Sequence, residues 1–96
     1  MNRALALRLL KEHKPILVRQ YGVSALALFG SMARDSATAD SDVDVLVAFD
    51  GPATSERYFG VQFYLEDLLG CQVDLVTDKA LRAELRPHVK RDALHV

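Results

Sequence analysis

GSMARDSATADSDVDVLV, running from Gly30 to Val47, holds the two features on which the reading of the whole chain turns. The first is Gly30-Ser31, set directly behind Val23 to Phe29 (VSALALF), an apolar run of the length expected for a buried strand. The second is the pair Asp42 and Asp44, which opens another apolar run ending at Phe49. Residues two apart in a strand leave the same face, so both carboxylates point one way. Between the two features, Asp35 to Ser41 is small and polar and reads as a loop. A third acid, Asp74, interrupts Gln72 to Thr77 (QVDLVT), a third strand.

Upstream, Leu5, Leu9, Leu10, Ile16, Leu17 and Val18 recur at near-helical intervals among Arg and Lys. Pro15 lacks an amide donor, so the pattern predicts one helix stopping near His13 and a second beginning around Pro15. Gly22 then serves as a helix stop. Downstream, Asp50-Gly51-Pro52 breaks the second strand, and residues 55–69 carry a broad apolar face, ended by Gly70. Thr77 or Asp78 caps a predicted helix through Leu85, which Pro87 interrupts before a last turn or two towards Val96. The fold class is α+β, with a small mixed sheet of about three to four strands and helices packed against it. One domain spans 1–96: leading helices in 1–21, a core in 22–78 and a helical segment in 79–96.

The chain has 96 residues, a formal net charge of −1 and 50% apolar residues, the composition of a globular domain. Chains of roughly 100 residues hold a single core. No apolar run approaches the ~20 residues of a membrane helix, and Arg8 interrupts the one stretch resembling a signal peptide. A single cysteine, Cys71, forms no internal disulfide and reads as a buried thiol inside a strand, which suits the cytoplasm. The near-zero total hides a pattern. Residues 1–34 sum to +5, residues 35–78 to −9 and residues 79–96 to +3. Solvated helix faces explain this as well as an acidic centre that gathers cations between basic segments.

Several carboxylates near one another on a small sheet cost several kcal/mol per uncompensated charge, roughly, so something positive must offset Asp42, Asp44 and Asp74. A hard divalent cation does this: Mg²⁺ prefers carboxylate oxygens and keeps positions for water and phosphate. Gly30 admits close approach of a ligand to the backbone, Ser31 offers a hydroxyl, and a helix starting there would present free amides to a phosphate. The pairing of a phosphate cradle with a metal site on neighbouring strands carries more than either part. Other candidates are weaker. His13, His88 and His95 lack zinc spacing, and Ser31 has no base beside it for nucleophilic work. Tyr58, Phe59, Phe63 and Tyr64 could stack on a base but fall at helical spacing and read as core, while Arg82, Arg86, Lys90 and Arg91 form a basic segment that either touches nucleotide or partner or is a solvated helix face.

The same stretch resembles the G-S-x-A-R…S-D-x-D-[LIV]-x-V motif of the minimal nucleotidyltransferases, in the DNA polymerase β-like nucleotidyltransferase superfamily. The likeness extends through YGVSALALFGS and VDLVT to the closing LRAELRPHVKRDALHV. It implies that Asp42, Asp44 and Asp74 are catalytic and bind the metal, Asp74 helping to ready the attacking hydroxyl. It implies a nucleotide-binding set of Gly30, Ser31, Arg34 and Ser41, with Arg34 contacting phosphate or bracing the loop, a plain surface salt bridge being the alternative for that arginine. Family members often have glycine after that arginine, where this chain has Asp35. The implied cofactor is Mg²⁺, two ions, with ATP as substrate. The implied reaction is AMP transfer to a tyrosine of a HEPN-domain toxin, making the chain an antitoxin. Neither a membrane nor direct nucleic-acid contact is implied, and oligomers with itself or the toxin are compatible. A non-catalytic domain that masks a HEPN partner, and a subunit modifying a small molecule, stay open as alternatives.

Overall fold

The computed structural model describes residues 1–36 and 42–96. Its first element is α1 (Arg3–Tyr21), whose N-terminus is capped by the Asn2 side chain accepting from the Leu5 amide at 2.9 Å. The helix is continuous, so the break expected at Pro15 does not occur. A proline inside a helix costs about 3 kcal/mol. Here Leu10 and Leu17, on either side of it, are both fully buried, and each such leucine contributes about 1.5–3 kcal/mol. Burial of one continuous stripe outweighs the lost hydrogen bond, and Pro15 itself lies on the solvent side. Gly22 ends α1 at φ 71°, where a side chain would run into Asp50 and Arg57.

Next come β1 (Val23–Phe29), the single-turn α2 (Gly30–Ala33), β2 (Val43–Phe49), α3 (Ser55–Leu69) and β3 (Val73–Thr77). They are followed by α4 (Arg86–Asp92) and the two-residue β4 (Leu94–His95). The sheet is mixed, in the order β3-β2-β1-β4. β1 runs antiparallel to β2 and β4, and β2 runs parallel to β3 with α3 as the crossover. Thr54 caps α3 by accepting from the Arg57 amide at 3.2 Å. The Tyr58 hydroxyl donates to the Leu75 carbonyl at 2.5 Å, tying α3 to the strand it precedes.

The sheet's two faces differ in cover. Val43, Val45 and Val47 join Leu28, Leu75 and Leu65 in the main core under α1 and α3. The alternate residues face the other way, where, among the described residues, Ala27 and Leu46 meet Leu81 and the partly buried Phe29, Val76, Val89 and Ala93. That thinly covered face also carries Asp44 and Asp74. The helix expected from Thr77 or Asp78 to Leu85 is a run of turns instead. Thr77 caps a single turn through the Ala80 amide at 3.2 Å, and the helix starts only at Arg86, with Pro87 in its first turn. Pro87 therefore begins a helix rather than interrupting one. Cys71 lies ahead of β3, half-buried against the core, rather than inside a strand. Phe59 and Phe63 also depart from expectation: they stack on each other at the surface, 48% and 64% exposed, while Tyr58 and Tyr64 do pack on the core.

Candidate active site

Parallel pairing of β2 with β3 places Asp44 directly beside Asp74, both on the thinly covered face. On its other side Asp44 pairs with Phe29, the last residue of β1. The chain then turns through Gly30 at φ 70°, a left-handed conformation that favours glycine. A Cβ on Gly30 would overlap the Asp44 carboxylate. The turn and the acid thus fit only because residue 30 has no side chain.

Burial pushes the Asp44 carboxyl up to about 6, helped by the charge of Asp74, a hydrogen bond with it and the charge of Asp42. Arg34 acts in the opposite sense. Its guanidinium donates from Nη1 to Oδ2 of Asp92, the last residue of α4, at 3.0 Å. Asp35 adopts φ 61°, a left-handed conformation that aspartate tolerates better than most residues. The loop after α2 is pinned by the Ser36 amide donating to the Ser31 carbonyl at 2.9 Å.

The structure therefore brings Gly30, Asp44 and Asp74 together, with Asp42 and Arg34 close enough to act on Asp44 through their charge. Ser31 lies in α2 beside Gly30, and Ser41 lies outside the described residues. Among the described residues no group of three or more His, Cys, Asp or Glu is set to hold a metal ion. The acids meet as a pair. The histidines are spread apart: His13 pairs with the Tyr64 hydroxyl at 2.6 Å, His88 with Arg91 at 2.9 Å, and His95 is in β4. Asp92 was not marked by the sequence pattern, although it stands out as an acid among Arg86, Lys90 and Arg91.

Among the described residues, clefts of about 160, 220 and 330 Å³ open on the surface, and Asp42, Asp44 and Asp74 line none of these three. The first two lie around Ala48 and Asp78, at the far end of the strands from Asp44. Asp44 is half-buried and Asp74 exposed. No described helix is long and apolar enough to cross a membrane.

A four-stranded mixed sheet with this helix order has the α+β fold of the nucleotidyltransferases. The chain belongs to the nucleotidyltransferase domain family, which matches residues 10–95. It is 38% identical over 88 residues to the protein adenylyltransferase MntA of Thermococcus cleftensis, covering 92% of this chain and 89% of that protein. A solved structure described as "Structure of putative minimal nucleotidyltransferase" superposes with a TM-score of 0.82 at 37% identity. That match covers 98% of this chain and 95% of the other. A chain from the complex of a tri-AMPylated Shewanella oneidensis HEPN toxin with its MNT antitoxin has the same fold. Its TM-score is 0.65 at 20% identity, covering 92% of this chain and 69% of that one.

Proposed function

We propose that this protein transfers AMP from ATP to a tyrosine of a HEPN-domain toxin and thereby acts as its antitoxin. The observation that carries the reading is the in-register contact of Asp44 and Asp74 beside the side-chain-free Gly30. A carboxyl whose proton affinity is raised by burial and by a neighbouring carboxylate, as that of Asp44 is, is suited to a hard cation. The named relatives support the choice of group and acceptor: one is a protein adenylyltransferase, and another belongs to a complex whose toxin carries AMP.

The donor set fits Mg²⁺, which is commonly held by one or two carboxylates together with substrate phosphates. Asp44 and Asp74 would hold it, with Asp42 adding charge at the mouth of β2; when bound, it supplies Lewis-acid stabilisation of the phosphates. Gly30 and Ser31 would let the triphosphate approach the backbone, with Ser41 assigned to the same task and Arg34 facing the phosphate charge. Asp74, the more exposed of the pair, would orient the acceptor hydroxyl and take its proton. The hydroxyl oxygen forms a bond to the α-phosphorus, the bond from the α-phosphorus to the bridging oxygen breaks, and pyrophosphate leaves with those electrons.

Incubation with labelled ATP, Mg²⁺ and the protein of the adjacent gene, followed by intact-mass measurement, tests this. The expected result is a mass gain on the partner in multiples of AMP, absent with Asp42→Asn/Asp44→Asn. Tight association without any gain would replace the enzyme reading with a masking antitoxin.

A further inference from the structure

Arg34 has two acidic destinations within reach. One is Asp92, to which its Nη1 donates at 3.0 Å; the other is Asp44, which it affects only by charge. An aspartate as the last residue of a helix is disfavoured by the helix dipole, and α4 otherwise ends in Lys90 and Arg91, which suit it. Asp92 is also the better shielded partner, its side chain 28% exposed against 52% for Arg34. Its position is fixed from the far side, because β4 follows immediately and pairs with β1 at Ala27 and Leu28. A freed guanidinium would be drawn towards the Asp44 carboxyl, on which its charge already acts, and would compete there with a ligand.

We infer that Asp92 is a positioning residue: it holds Arg34 beside the carboxylate pair rather than on it, leaving the guanidinium to face an incoming triphosphate. The inference rests on the nucleotidyltransferase reading of this site. It extends that reading by assigning a role to the C-terminal helix.

Calorimetric binding of α,β-methylene ATP with Mg²⁺ tests it without any transfer step. For Asp92→Asn, the loss of a charge-assisted hydrogen bond is expected to weaken binding about tenfold. Asp92→Glu should recover most of the affinity. In an Arg34→Gln background, Asp92→Asn should have no further effect, since Asp92 acts through Arg34 alone. The four variants should melt within a few degrees of the wild type, as expected for a surface pair. Wild-type affinity in Asp92→Asn, or an undiminished Asp92 effect in the Arg34→Gln background, overturns the inference while leaving the site reading intact. Failure of the wild-type protein to bind the analogue overturns both.

Discussion

Asp44 is held where its charge is unwelcome. Its carboxyl is pushed up to about 6 by burial and then by Asp74, so between the unfolded value near 4 and pH 6 the folded state binds the extra proton. Stability therefore falls as pH rises through that window, and the full penalty is present above it. Asp44→Asn removes both burial of a charge and repulsion. At pH 7.5 it should raise the melting temperature by about 4–8 °C, the equivalent of roughly 1 kcal/mol in a domain of this size, while abolishing transfer. Measured at pH 4, where the wild-type carboxyl is already protonated, the gain should shrink towards zero. A gain independent of pH would show that repulsion is not its source. Gly30→Ala makes the opposite change, forcing a Cβ into the Asp44 carboxylate at a left-handed φ. It should destabilise by about 1–3 kcal/mol, seen in urea denaturation, and weaken nucleotide binding with it.

At the level of elements, what the sequence made legible and what it concealed divide along a physical line. β1, β2, β3 and α3 were readable because short apolar runs and a long apolar face are local signals bounded by Gly and Pro. The aspartates were readable because charge inside an apolar strand demands a reason. Pro15 misled because its local cost is visible in sequence, whereas the stripe of Ala6, Leu10 and Leu17 that overrides it acts through the sheet below. The segment after Thr77 misled for the converse reason: helix-forming residues there have little sheet face to bury against. Two-residue β4 is too short to leave a pattern, and the pairing of Arg34 with Asp92 spans 58 residues. Pro15→Ala isolates the first case. It restores an amide donor on the exposed side of α1 and should stabilise by about 1–3 kcal/mol with transfer unchanged, read as a higher urea midpoint at constant slope. A lowered midpoint would mean that the proline is part of the helix's native shape.

Taken as a whole, the molecule is asymmetric: one sheet face is sealed by α1 and α3, and among the described residues the other is covered by Leu81 and the short α4. The closing piece is fastened at its end. Leu94 and His95 add an edge strand to β1, the Val96 amide donates to the Leu26 carbonyl at 3.0 Å, and Lys14 of α1 donates from Nζ to the Val96 carbonyl at 2.7 Å. Three residues thus join the C-terminal helix, the sheet edge and the N-terminal helix, and they control where Asp92 stands. Deleting Leu94–Val96 should leave the main core folded, because none of its fully buried residues is removed. Stability should nevertheless fall by about 1–2 kcal/mol through lost packing of Leu94 and Val96. The exposed β1 edge should make the protein associate with itself as concentration rises. Hydrogen exchange should quicken along β1 around Ala27 and Leu28, and affinity for α,β-methylene ATP should drop about as far as in Asp92→Asn, since an undocked α4 cannot hold Arg34. Retained affinity alongside faster exchange would separate the two effects and show that α4 docks on the sheet without the strand that follows it.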